Sequence, residues 1–360
     1  MLKVGIFRSS SIGDVVLATS CLHLLKSLSL DIQILWIGKE PSLSLIRDAF
    51  PSVNCLELTG ASELTAILES LKDVDILVDL QTTLRSRFVM KAFKKAYRRP
   101  VFSCSKSYLQ RGRLVLEGRV YGRRRLLPDK ALIAAKLQHK LMSDALLQAL
   151  SYKKLISAPI PEPHPLLEIG HYQAPSTWLS TLRQPSSQWV ALACGGSYET
   201  KRAPIEVFTR ILASFLKKVK DEGRPVPGLV LLGDSNDALM AESLLKSLDW
   251  PSEVLNLCGQ IGLWENAMAL KQALLLLSND SSLSHIAEAV GTPALVLFGP
   301  TIEGFGFGPF LEKSRAYSSR LGCRPCSKHG KSACRYRDKL CFHEIPEEPI
   351  AQHMLHLTLT

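Results

Sequence analysis

Residues 274–301 read LLLLSNDSSLSHIAEAVGTPALVLFGPT. Leu274 to Leu277 is an apolar run of strand length, Leu283 to Val290 has helical periodicity, and Ala294 to Phe298 is a second apolar run. Strand, helix and strand at this spacing make a βαβ unit, and such units build parallel sheets. The turn between the first strand and the helix, Asn279-Asp280-Ser281-Ser282, is small and polar. Backbone donors at a helix start attract anions, and serines there add hydroxyls, so the turn suits a diphosphate.

The same alternation extends outward from this stretch. Upstream, Trp189–Cys194, Gly228–Leu232 and Glu253–Leu257 read as strands, with helices over Pro204–Val219, Asp237–Leu248 and Trp264–Ala273. The first half repeats the pattern, with strands at Leu2–Phe7, Ile32–Ile37, Val53–Leu58 and Asp75–Leu80. Its helices are Val15–Ser27, Pro41–Phe50 and Ala61–Leu71, and a long one over Lys130–Leu150 closes it. Between the halves, Pro159, Pro161, Pro163 and Pro165 alternate, which is the composition of a semi-rigid spacer. The expected organisation is a domain over 1–158, a linker over 159–175 and a domain over 176–345. A last helix over 346–360 is expected to pack back across the first domain. Two doubly wound domains create a ligand crevice at the carboxyl ends of their strands.

The bulk numbers agree with two globular domains: 360 residues, 46% hydrophobic and 21% charged. The start, MLKVGIFRSSSIGD, lacks the apolar core of a signal peptide. No run approaches the roughly 20 apolar residues that span a bilayer. The expectation is a cytoplasmic chain, soluble or peripheral to a membrane. Its net charge of +11 is clustered: Arg85, Arg87, Lys91, Lys94, Lys95, Arg98 and Arg99 lie close together, and Arg111 to Arg125 adds more. Such a patch suits nucleic acid, an anionic membrane surface or a phosphorylated glycolipid.

Three further segments carry candidate chemistry. Ser9-Ser10-Ser11-Ile12-Gly13-Asp14 follows the first strand and matches neither a dinucleotide fingerprint nor a triphosphate loop. Its serines and Gly13 let backbone amides approach an anion, and Asp14 stands where a helix cap is wanted. Gly195-Gly196-Ser197 follows another strand, with Lys201 available to neutralise phosphate charge or to lie on the surface as a plain lysine. Cys323, Cys326, Cys334 and Cys341 fall near the end; the first pair has metal spacing and the second does not, so a structural zinc and plain thiol packing both stand.

Taken in order, SSSIGDVVLATS (9–20), DLQTTLRS (79–86), GGSYETKRAP (195–204), LLGD (231–234), NLCGQIGLWENAMAL (256–270), the 274–301 block and CRPC (323–326) resemble glycosyltransferase family 9, the lipopolysaccharide heptosyltransferases. The resemblance implies a GT-B fold, in which two Rossmann-like domains with parallel sheets face a central cleft. It implies inverting, metal-independent transfer from an ADP-sugar, typically ADP-L-glycero-D-manno-heptose, with no cofactor required. The implied acceptor is the lipopolysaccharide inner core on lipid A, at the cytoplasmic face of the inner membrane.

By position, Asp14 matches the family's base and Lys201 the lysine that holds the donor diphosphate. Asp280 matches the acid that meets the donor sugar, and Ser281, Ser282 and Leu283 the diphosphate turn, with His285 beside it. Ser10, Ser11, Gly13 and Gly195 complete the donor loops, and the basic residues Arg85, Arg87, Lys94 and Lys95 are assigned to the acceptor. Serine stands at 282 where members usually have glycine, a strained choice if that position takes positive φ. Rival readings are another GT-B nucleotide-sugar enzyme, such as an epimerase, and a zinc-containing nucleic-acid binder. The second leaves both phosphate-type loops unexplained, and the expectation is no nucleic-acid partner.

Overall fold

The structure is a computed structural model. It describes residues 1–28, 30–59, 64–105, 108–133, 136–156, 160–170, 177–184, 188–331 and 333–359. The chain divides into two units, one formed by Met1–Ser107 with Lys136–Gly170, the other by Tyr108–Ala135 with His171–Thr360.

The first unit carries strands β1 (Leu2–Phe7), β2 (Ile32–Gly38), β3 (Asn54–Glu57), β4 (Ile76–Asp79) and β5 (Val101–Ser103). They form one parallel sheet in the order β3-β2-β1-β4-β5. Phe7 pairs in register with Ile37 on one side and Asp79 on the other, so the ends of β1 and β4 lie side by side. The chain leaves β1 toward β2 and returns on its far side at β4. Neighbouring strands whose connections diverge in this way open a crevice at their carboxyl ends. One face of the sheet packs Phe7, Ile37 and Leu77 against Val89, Met90 and Phe93.

The second unit carries β6 (Trp189–Ala193), β7 (Gly228–Leu231), β8 (Val254–Asn256), β9 (Leu275–Asn279), β10 (Ala294–Phe298) and β11 (Arg315–Ser318). Their order is β11-β10-β9-β6-β7-β8, all parallel. Its switch point lies between β6 and β9, where Ala193 pairs with Ser278. The inner strands β1, β4, β6, β7, β9 and β10 are mostly apolar because helices cover both faces of each sheet.

Four expectations change. The single helix over Val15–Ser27 is two, Ile12–Ala18 and Ser20–Ser27. The Thr19 hydroxyl at the break donates to the Val16 carbonyl, the back-bonding that bends helices. The long helix starts at Gln138 instead of Lys130. Residues 108–135, assigned above to the first domain, pack in the second unit, where Val115, Leu127 and Ala131 cluster with Ile302 and Phe305. Of the expected linker, residues 160–170 belong with the first unit, while 159 and 171–175 lie outside the described residues.

The last helix, Glu347–Leu357, expected above to pack back across the first domain, belongs to the second unit. It lies on the helix Ile205–Asp221 and buries Ile350, Ala351, Met354 and Leu355 with Phe208, Ile211 and Phe215 in the second unit's core. The apolar stripe of Ile205–Asp221 is long enough to need that cover. Ser214 and Lys218 both engage Glu348 across the seam.

Candidate functional site

In the first unit the loop after β1 meets the loop after β4. Asp79, fully buried, accepts hydrogen bonds from the Gln81 amide at 2.9 Å, the Thr82 amide at 2.8 Å and the Ser86 hydroxyl at 2.9 Å. That network holds Thr82 at a φ of 50°, unusual for a β-branched residue, and so fixes Gln81. Gln81 Oε1 then accepts from the Ser9 and Ser10 amides, and its Nε2 donates to the Ser10 hydroxyl.

The helix cap is Ser11, with Asp14 three residues into the first turn. The Ser11 amide and hydroxyl both donate to Asp14 Oδ2, at 3.3 and 3.0 Å. The same oxygen lies 2.5 Å from Arg8 Nη2. Arg8 is almost wholly buried and its Nη1 donates to the Leu80 carbonyl, so the guanidinium cannot swing away. Asp14 therefore keeps a fixed orientation while remaining partly open to solvent. Gly13 is buried in the same turn.

In the second unit the loops after β6 and β9 meet at the switch point. Asn279, buried at the end of β9, donates from Nδ2 to the Cys194 and Gly195 carbonyls and accepts from the Ala203 amide at Oδ1. This one side chain sets both ends of the segment that carries Lys201. Lys201 Nζ lies 2.7 Å from Asp280 Oδ2, and the Thr301 hydroxyl donates to that oxygen at 2.7 Å. Burial alone pushes the Asp280 carboxyl up, but the Lys201 ammonium and the two donors outweigh it and hold the group below the usual carboxylate range. Thr301 is fixed in turn by Arg324, which donates from Nη2 to the Thr301 carbonyl and from Nε to the Gly299 carbonyl.

Ser281 caps the helix Ser282–Ala289. Its hydroxyl is buried with no hydrogen-bond partner among the described residues. Ser282 is the first helical residue and is absent from the positive-φ positions, so serine is unstrained there. Leu283 is half-buried, and His285 lies buried with its ring 6.4 Å from that of Phe307. A lysine, a helix start and a buried hydroxyl thus meet on one switch point, groups with the chemistry that binds phosphate. At Gly195 a Cβ would collide with the Asp237 carboxylate, so the missing side chain makes room for that group.

Arg85, Arg87, Lys94 and Lys95 are exposed on the helix Leu84–Tyr97 of the first unit. Its opposite stripe, Ser86, Val89, Met90 and Phe93, is buried. The open side also shows Leu84 and Phe88, 88% and 62% exposed, so the basic face is amphipathic.

Cys323, Cys326, Cys334 and Cys341 line one cavity of about 350 Å³ with Arg123 and Tyr336. Burial pushes the Cys326 thiol up to about 11 and that of Cys341 up to about 12. The donor set has the chemistry of a zinc site, which needs sulfurs at about 2.3 Å around one point. Among the described residues no three His, Cys, Asp or Glu side chains are arranged to hold a metal ion. The sequence patterns did not assign Arg8, Gln81, Thr301 or Arg324, and they placed Asn279 in the turn without its bracing role. The available signal was their place at or just past strand ends that the apolar runs already marked.

Comparison with known proteins gives a family and a fold. The family model of glycosyltransferase family 9 (heptosyltransferase) matches residues 64–337. Lipopolysaccharide heptosyltransferase 2 of Escherichia coli is 28% identical over 130 residues, which span 36% of this chain and 36% of that protein. The family 9 glycosyl transferase of Veillonella parvula superposes with a TM-score of 0.67 at 16% identity, covering 99% of this chain and 97% of that one. The E. coli ADP-heptose lps heptosyltransferase II gives 0.64 at 18% identity, covering 100% and 99%. At such identities the likeness is one of fold, and that fold is GT-B.

Proposed function

The chain belongs to glycosyltransferase family 9, and from that premise we propose that it transfers a heptose from ADP-L-glycero-D-manno-heptose to the inner core of a lipopolysaccharide acceptor with inversion. The observation that carries the donor half is the Lys201–Asp280 pair beside the helix start at Ser281 and Ser282. That arrangement supplies a cation, backbone amides and a hydroxyl to a diphosphate leaving group.

In this reading an acceptor hydroxyl attacks the anomeric carbon of the donor. The new carbon–oxygen bond forms as the bond from that carbon to the diphosphate oxygen breaks. Asp14 takes the hydroxyl proton, and the departing electron pair stays on ADP. Lys201 and the amides at the start of the Ser282 helix stabilise that developing charge, the work a metal ion does in other transferases. One displacement inverts the centre without a covalent enzyme intermediate. Asp280 orients Lys201 and meets the donor sugar, with Ser10, Ser11 and Gly13 completing the donor loop. The exposed basic face with Arg85, Arg87, Lys94 and Lys95 supports an anionic acceptor. Its exposed Leu84 and Phe88 support a peripheral position on an anionic membrane, the inner face of the inner membrane for this acceptor.

The test is a donor screen against a truncated lipopolysaccharide core, with product mass and anomeric configuration read out. Heptose transfer from the ADP-linked donor with inversion is expected. Transfer from a different nucleotide-sugar only, or epimerisation without transfer, would replace this reading with that of another GT-B enzyme.

A further inference from the structure

A second basic cavity of about 420 Å³ lies on the second unit. One wall is a stripe of the helix Tyr108–Tyr121 that includes Gly112 and Arg119, seven residues apart and so on one face. The other wall is the loop bearing Ser327, Lys328, His329 and Lys331.

The loop is built, not incidental. The Ser327 hydroxyl accepts from the Gly330 amide at 2.9 Å and the His329 amide at 3.4 Å, closing a tight turn. Gly330 has a φ of 86°, and the Thr200 hydroxyl donates to its carbonyl. A Cβ on Gly330 would fall 2.5 Å from Lys201 Cγ, so the turn rests directly on the stem of Lys201. Lys328 crosses to the other wall, where a Cβ on Gly112 would lie 3.3 Å from its Nζ. Arg119 is held against the loop by a hydrogen bond from Nε to the Cys326 carbonyl, and Lys331 Nζ lies 5.8 Å from the Tyr198 ring centre.

Arg119, Lys328 and Lys331 thus bring three basic side chains to one cavity, with His329 beside them, and no carboxylate lines it among the described residues. Gathering like charges costs free energy that a bound anion offsets. We propose that this cavity is an anion subsite next to Lys201, which takes a phosphate or carboxylate group of the acceptor. The inference rests on the transferase reading for its source of anion. The donor diphosphate already has Lys201 and the Ser282 helix start, so an anion held one turn away belongs to the other substrate. Its role is to orient the acceptor for attack, a contribution to acceptor affinity and register.

The test compares the full chain with the double variant K328Q/K331Q, both residues being on a loop whose turn depends on neither side chain. Three measurements are made: inorganic phosphate affinity by calorimetry, ADP affinity, and kinetics against native and enzymatically dephosphorylated acceptor. The expected result is weaker phosphate binding and a KM for native acceptor raised about tenfold, the loss of charge-assisted contacts. ADP affinity stays within about twofold of the parent, and the KM for dephosphorylated acceptor does too if the bound group is a phosphate but rises about tenfold if it is a carboxylate. A fall in ADP affinity with acceptor KM unchanged would assign the anion to the donor and overturn the acceptor role. Unchanged phosphate binding and unchanged KM, with normal heptose transfer by the parent, would overturn the subsite while leaving the transferase reading in place. A parent that transfers no sugar would sink the transferase reading, and the phosphate titration would then decide the cavity alone.

Discussion

Arg8 Nη2 stands 2.5 Å from Asp14 Oδ2 while Nη1 of the same guanidinium donates to the Leu80 carbonyl. The fork therefore ties the proposed base to the end of β4 through one rigid plane. A lysine carries a single point charge and cannot make both contacts. Arg8→Lys is expected to fold with stability lowered by about 1 to 3 kcal/mol, from the buried contact it gives up, and to lose about tenfold or more in kcat because the base loses its orientation. Asp14→Asn, nearly isosteric, is expected to lower kcat by about 10² to 10⁴ with ADP affinity retained. Full turnover by the asparagine variant would remove Asp14 from the mechanism.

Lys201 and Asp280 form the counterpart in the second unit, and Thr301 donates to the same carboxylate oxygen that Lys201 pairs with. Lys201→Met leaves Asp280 buried and unpaired while removing the cation from the leaving group. A kcat loss of about 10² to 10³ is expected together with weakened ADP binding. Thr301→Val keeps the ion pair and deletes one hydrogen bond, so stability is expected to fall by about 2 kcal/mol with a smaller effect on rate. Calorimetric ADP titration and denaturant unfolding separate the two. Equal kinetic damage from both variants would mean that the hydroxyl acts on substrate rather than through Asp280.

Glu288 provides a pH signature. Its Oε1 accepts from the Phe310 and Leu311 amides at 2.7 and 2.9 Å, yet burial pushes its carboxyl up to about 7. The folded chain then binds a proton more tightly than the unfolded one, so this group's contribution to stability is largest below about pH 4.5 and is lost as pH rises toward 7. The loss amounts to about 3 kcal/mol at the upper end. Glu288→Gln keeps the acceptor oxygen and has no proton to lose. The variant is expected to show a flatter melting temperature between pH 5 and 7 than the parent. Parallel curves would show that Glu288 is not the titrating group.

Much of the frame was readable because buried parallel strands are continuous apolar runs. The segments Leu275–Asn279, Ala294–Phe298 and Trp189–Ala193 fall where the runs place them, within a residue or two. The turn proposed for the donor was readable for the same reason, since it begins where the run ends. The helices Leu84–Tyr97 and Tyr108–Tyr121 were not anticipated, because arginines and lysines interrupt their apolar positions. Short β5 and β11, three and four residues long, gave too little pattern to detect. Arg8 and Arg324 were illegible for another reason: an arginine reads as surface charge until carbonyls such as Leu80, Gly299 and Thr301 are known to converge on it. The destination of residues 108–135 depended on Ile302 and Phe305, nearly two hundred positions away, which local periodicity does not register.

The discontinuity of both units also sets an order of assembly on the ribosome. The first unit is complete once residue 170 has emerged, since it needs only 1–107 and 136–170. Residues 108–135 must wait for Ile302 and Phe305, and the core around Phe208 and Phe215 stays uncovered until Ile350 and Met354 are synthesised. A chain arrested with about 200 residues emerged is expected to resist protease over the first unit but to be cut between 108 and 135. A nascent chain lacking Glu347–Leu357 should need a chaperone holdase that the finished protein does not, so late stalling on this message is the step most exposed to aggregation.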